Sequence, residues 1–92
     1  MEDALNHIKM LIHEGKADEA IRALDALIEA RPEASDEPYY LRGNAYRKTG
    51  NWQQALNNYL CAIDLNPDSP AVQAREILMD ILNFYNKDMY NQ

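Results

Sequence analysis

Ninety-two residues, 47% hydrophobic and 26% charged, supply apolar side chains for one packed core and too little chain for most enzymes that need separate substrate and cofactor lobes. Nine basic against 15 acidic residues leave a net charge of -6, which repels phosphate backbones and anionic lipid, so neither nucleic acid nor a membrane is an expected partner. A lone Cys61 excludes an internal disulfide and a cysteine zinc site. With no basic-then-apolar leader and no apolar run near the ~20 residues of a membrane span, a soluble, cytoplasmic protein is expected.

Breaks recur at a fixed interval. Sliding the chain along itself by 35 residues sets Gly15 on Gly50, Ala20 on Ala55, Ile28 on Ile63, Glu29 on Asp64 and Pro32 on Pro67. Such a period marks stacked supersecondary units. The single domain, 1–92, therefore divides into units at 1–35 and 36–69 and a capping helix with tail at 70–92.

The first helix is capped by Asp3 and carries Ala4, Ile8, Leu11 and Ile12 at spacings of three and four before Gly15 ends it. The second starts near Asp18, where Asp18 and Glu19 suit the positive end of the helix dipole. It puts Ala20, Ile21, Leu24, Leu27 and Ile28 on one face and stops before Pro32, whose ring disfavours helix at Arg31. The third takes Asp36 as its cap and Pro38 in its first turn, points Tyr39, Ala45 and Tyr46 inward, and closes at Gly50. Asn51 opens the fourth, which carries Trp52, Ala55, Leu56, Tyr59, Ala62 and Ile63 at helical spacing and stops at Pro67. Ser69 and Pro70 open a fifth, striped by Ala74, Ile77, Leu78, Ile81 and Leu82, with Arg75, Glu76 and Asp80 on its wet side. No helix follows it, so its expected task is to cover the open side of the second unit. For Asn83 to Gln92, which mixes Phe84, Tyr85, Met89 and Tyr90 with asparagines, folding back and fraying both stand open.

Tyr39, Gly43, Tyr46, Gly50, Ala55, Tyr59, Ala62 and Pro67 stand at the spacing of a known pattern. On these residues the second unit resembles a tetratricopeptide repeat, with Arg42 replacing the usual leucine. Small Gly43 and Ala55 let two antiparallel helices touch, and Tyr46 and Tyr59 fill the space beside them. Gly15, Ala20, Leu24 and Pro32 carry the likeness into the first unit, which departs from it at Ala4, Ile8 and Leu27. The third, partial unit puts Ile77 in place of the glycine and Asp80 in place of the tyrosine, as suits a capping helix. The closing stretch also resembles the ends of small bacterial tetratricopeptide proteins.

The resemblance implies an all-α, right-handed helical-repeat solenoid of two helix hairpins plus a C-terminal capping helix, five helices in all. It implies a concave face that holds peptide segments of partner proteins, with no chemistry and no cofactor. Carried over position by position, the groove residues are Leu5, Lys9, Ile12, Tyr40, Asn44, Arg47 and Lys48, to which the capping helix adds Ala74 and Leu78.

From Tyr39 to Thr49 the third helix holds Arg42, Arg47 and Lys48 and no acid, a +3 island in a -6 chain. With Lys9 and Arg75 it would set positive charge in the concavity and steer an acidic peptide or a terminal carboxylate inward. Equally, Arg47 and Lys48 complement the negative end of the helix dipole without any ligand; both readings stay open. The lysine-and-asparagine clamp with which some relatives grip chaperone tails is incomplete. Leu5 and Leu41 occupy two of its places, leaving Lys9, Asn44 and Arg75 as partial substitutes.

His7 and His13 are turned about 240° apart on a helix of ~3.6 residues per turn and share no metal easily. Cys61, between Leu60 and Ala62, reads as a small packing residue, and Trp52 as an aromatic packed under a turn. Two functions stand to be told apart. One is a non-catalytic adaptor binding a protein or acidic peptide in the groove. The other is a structural module forming a weak homodimer through Val72, Met79, Leu82, Phe84 and Tyr85. An enzyme has the least support, since the sequence offers no nucleophile–base pair, metal cluster or phosphate loop.

Overall fold

Five α-helices follow the breaks: α1 (Glu2–His13), α2 (Ala17–Ala30), α3 (Glu37–Lys48), α4 (Trp52–Leu65) and α5 (Ala71–Tyr90). The computed structural model describes residues 2–90, with side chains described for 3–84, and no strand occurs among the described residues. Tyr85 and the other side chains of the closing segment lie outside them.

Each boundary has a local cause. The backbone takes φ +83° at Gly15 and +79° at Gly50, a left-handed conformation that a Cβ disfavours. The same pair of hydrogen bonds closes both helices. Gly15 N–H donates to the Ile12 carbonyl at 3.1 Å and Lys16 N–H to Leu11 at 2.8 Å; in the second unit Gly50 N–H donates to Arg47 at 3.0 Å and Asn51 N–H to Tyr46 at 2.9 Å. Before the two prolines the match repeats: Arg31 N–H donates to Leu27 at 3.1 Å and Asn66 N–H to Ala62 at 2.9 Å. The sequence period is thus a period of backbone hydrogen bonding.

The helix starts depart from expectation in two places. α1 begins at Glu2, so Asp3 sits inside its first turn instead of capping it. Asp36 holds the N-cap position of α3 but has helical dihedrals, φ -74° and ψ -25°, and its side chain makes no capping bond, because capping geometry requires a more extended backbone. Ser35 Oγ accepts the Glu37 N–H instead, at 3.1 Å. Asp36 Oδ1 accepts from Asn66 Nδ2 at 3.4 Å, tying the loop before α3 to the one after α4. Ser69 does cap α5: its buried Oγ accepts the Ala71 N–H at 3.1 Å.

α1 packs on α2 and α3, α2 on α3, α3 on α4 and α4 on α5. One apolar cluster, with Ile8, Leu11, Leu24, Leu41 and Ala45, joins α1, α2 and α3. A second, with Ala55, Tyr59, Ala62, Ala71 and Leu78, joins α4 to α5 and takes Tyr39 and Tyr46 of α3 against it. Tyr40 packs against both clusters, its ring centroid 6.2 Å from that of Tyr59.

The stripe that α5 buries is Ala71, Ala74, Leu78 and Leu82. Ile77, expected on it, is 56% exposed; with α4 as its principal neighbour, α5 covers a narrow band and the flanking positions stay outside. Trp52, expected under a turn, is 36% exposed and lines a surface recess with Asp80, Ile81 and Phe84. Among the described residues no helix is long and apolar enough to cross a membrane.

Candidate peptide-binding groove

α1, α3 and α5 form one side of the stack, and a ridge on α3 rises between the other two. The ridge is Tyr40, Asn44 and Arg47, which helical geometry places on one face at successive turns. Between α1 and α3 a chamber of about 350 Å³ is lined by the ridge with Lys9, Ile12, His13, Leu41 and Lys48. Between α3 and α5 a second, of about 200 Å³, is lined by the ridge with Pro70, Gln73, Ala74 and Ile77.

Neither chamber has an aspartate or glutamate in its lining. Other recesses are lined by Asp18 and Glu19, or by Glu76 and Asp80. In a chain with 15 acidic residues, the lining of the hollow thus carries Lys9, Arg47 and Lys48 and no carboxylate. Lys9, at its edge, pairs with Glu37 at 3.3 Å, both side chains about half exposed. Arg47 and Lys48 make no ion pair among the described residues.

The ridge is anchored from below. Fully buried Tyr59 donates its hydroxyl to Asn44 Oδ1 at 2.6 Å. With its carbonyl so used, Asn44 has its Nδ2 left as the donor on the ridge. Burial pushes the Tyr59 hydroxyl above its ordinary pKa of 10.0, while the nearby Arg47 pulls it the other way through hydrogen bonding and charge. The floor is neutral at physiological pH, and the cation sits above it.

Of the expected groove residues, Lys9, Ile12, Tyr40, Asn44, Arg47, Lys48 and Ala74 do line the two chambers. Leu5 and Leu78 line neither chamber. They are 7% and 0% exposed and serve the two core clusters, because the inward faces of α1 and α5 turn them onto neighbouring helices.

Arg42 also leaves the concavity. Its Nε donates to Asn58 Oδ1 at 2.7 Å, its Nη1 to Asp25 Oδ1 at 2.8 Å, and its guanidinium lies 5.6 Å from the Tyr39 ring centroid. Standing where the repeat usually has leucine, it bridges α2, α3 and α4 by polar contacts. Arg75 lines a different recess, with Leu56, Leu60, Glu76, Met79 and Asp80.

Sequence reasoning missed His13, Leu41, Pro70, Gln73 and Ile77 as lining residues. For α5 the available signal was helical spacing: 70, 73, 74 and 77 share a face with Ala74, which the resemblance had already placed. His7 is exposed, as is Cys61, which does not pack in the core. No group of three or more His, Cys, Asp or Glu that could hold a metal occurs among the described residues.

The tetratricopeptide-repeat model matches residues 37–69, one residue inside the second unit. The chain is similar to protein BF1650 of Bacteroides fragilis, known from a solution NMR structure. The two are 62% identical with a TM-score of 0.84, over 96% of this chain and 89% of that one. Tetratricopeptide repeats generally mediate protein–protein interaction. Two hairpins turned by the same hydrogen bonds, Gly43 of α3 buried against Tyr59 and Ala55 of α4 and these likenesses agree: the chain belongs to the tetratricopeptide-repeat family.

Proposed function

We propose that the protein is a non-catalytic interaction module that holds an acidic peptide segment of a partner protein in the hollow between α1, α3 and α5. The observation that carries this reading is the acid-free lining around Arg47 in a chain of net charge -6. An acidic segment is repelled by most of the surface and drawn to this face, which sets orientation and on-rate before any contact forms. On arrival its carboxylate meets Arg47 and Asn44 Nδ2, and charge-assisted hydrogen bonds of this kind are about twice as strong as neutral ones. Ile12, Leu41, Pro70, Ala74 and Ile77 offer apolar walls for the neighbouring side chains. Arg47 and Lys48 also complement the negative end of α3, and this role is compatible with capture.

The test is an amide chemical-shift titration with a blocked octapeptide of alternating aspartate and leucine, beside the same peptide with asparagine for aspartate. Signals of Tyr40, Asn44 and Arg47 should move with the aspartate peptide, and affinity should weaken as salt rises. Equal responses to both peptides, or shifts confined to residues outside the hollow, reject the reading.

A further inference from the structure

Beyond the ridge of Tyr40, Asn44 and Arg47, the two chambers have no lining residue in common. Toward α1 the remaining wall holds Lys9, His13 and Lys48 with Ile12 and Leu41. Toward α5 it holds Pro70, Gln73, Ala74 and Ile77, none of which carries a charge. Exposure separates the chambers further. Ile12 and Leu41 are buried in the core, so what a ligand meets toward α1 is the exposed ammonium ends of Lys9 and Lys48. Toward α5 it meets Ile77, whose side chain stands largely in solvent beside half-buried Ala74.

We propose that the two chambers sort the side chains of one bound segment: carboxylates go to the α1 side and a single branched aliphatic or aromatic side chain goes to the α5 side. This rests on the peptide-capture reading above and narrows its partner. The motif is bipartite, an acidic run next to an apolar residue, and acidity spread evenly along the segment does not satisfy it.

Both halves of the sorting have a physical cause. A carboxylate on the α5 side has Arg47 as its one lining cation, whereas on the α1 side it has Arg47 and Lys48, with Lys9 at the edge shared with Glu37. An aliphatic side chain on the α1 side strips water from ammonium groups and gives them no partner, which is costly, and the apolar residues beneath are already covered. On the α5 side it covers Ile77 and Ala74 without burying a lysine. An apolar cavity of about 150 Å³ holds a benzene ring, so the chamber of about 200 Å³ suits one such side chain while the main chain passes over it.

Titration calorimetry on the full chain tests this with blocked octapeptides of equal composition. One has four aspartates and four leucines in separate blocks, made in both chain orders, and the other alternates them. An extended alternating chain turns its aspartates to one face and its leucines to the other, so it cannot fill both chambers at once. In one chain order the block peptide should bind at least about fivefold tighter than the alternating one, with nuclear Overhauser contacts from leucine methyls to Ile77. Ile77→Ala should weaken that peptide about fivefold and leave unchanged the affinity of its version with alanine for leucine. Lys48→Gln should weaken both versions alike, about threefold. Both side chains are exposed, so circular dichroism should not change. If no aspartate peptide binds the wild type, capture fails and the sorting falls with it. If the peptides bind but neither block order exceeds the alternating peptide, or Ile77→Ala weakens the leucine and alanine versions equally, the sorting is overturned while capture stands.

Discussion

Gly43 of α3 and the ring of Tyr59 on α4 compete for one space. A Cβ on Gly43 would lie 2.6 Å from Tyr59 Cε1, 2.7 Å from Cδ1 and 3.2 Å from the Ala55 carbonyl oxygen. The missing side chain lets these two helices close on each other, and it seats the tyrosine whose hydroxyl reaches Asn44 on the groove ridge. Packing and site are joined at this point.

Gly43→Ala therefore runs against ordinary helix propensity. On an exposed helix the change would gain about 1 kcal/mol. Here the ring is buried and its hydroxyl bound, so it cannot swing aside, and overpacking costs about 1–3 kcal/mol. A net loss of about 1–2 kcal/mol is expected from urea denaturation, and a midpoint equal to or above wild type would contradict the close fit.

Arg42→Ala separates the scaffold cation from the groove cations. It strands the Oδ1 of Asn58, a residue only 4% exposed, which costs about 1–3 kcal/mol. The pair with half-exposed Asp25 adds little. Thermal and urea unfolding should show the loss, while the folded variant should bind the acidic peptide as wild type does.

Arg47→Glu should give the opposite pattern. Affinity for the aspartate peptide falls at least about tenfold, while stability falls by only about 1–2 kcal/mol, because a glutamate there loses the contact with Tyr59 and sets a negative charge at the negative end of α3. Titration calorimetry beside urea denaturation reads both quantities.

Stability should also fall in strong base. The Tyr59 pKa is raised above 10.0 by burial, so between the unfolded and folded values the native state holds the proton that the unfolded chain has released. By linkage, its contribution is complete below pH 10.0 and is lost as pH rises through the raised folded value. Urea midpoints measured from pH 8 upward should decline past that point, and Tyr59→Phe should flatten the decline.

Adjacent residues on α5 should respond very differently to truncation. Leu78 is 0% exposed and Ile77 is 56% exposed. Leu78→Ala should cost about 2–5 kcal/mol, whereas Ile77→Ala should change stability by about 0.5 kcal/mol or less and weaken peptide binding by removing a chamber wall.

Charge shows where reading a sequence stops. Arg42, Arg47 and Lys48 look like one basic island along the chain, yet Arg42 turns toward Asp25 and Asn58 while Arg47 stands over the groove. Five residues on an α-helix amount to about 500° of rotation at ~3.6 residues per turn, which puts these two side chains on different faces. Which face meets a neighbour depends on where α2 and α4 lie. The expectation of Leu78 in the groove failed for the same reason: whether residue 77 or 78 is covered depends on how α5 rolls on α4.

What the linear chain determined is its division into five helices and the repetition of the first two as the next two. Left-handed φ at Gly15 and Gly50, ring closure at Pro32 and Pro67 and the Ser69 cap act over a handful of residues, so their effect is legible locally. Tertiary structure alone decided which cations face the hollow, that Ser35 replaces Asp36 as the cap of α3, and that apolar surface gathers at the α4–α5 end. These depend on which helix lies beside which, and a side chain is buried or bare according to neighbours that the local pattern does not contain.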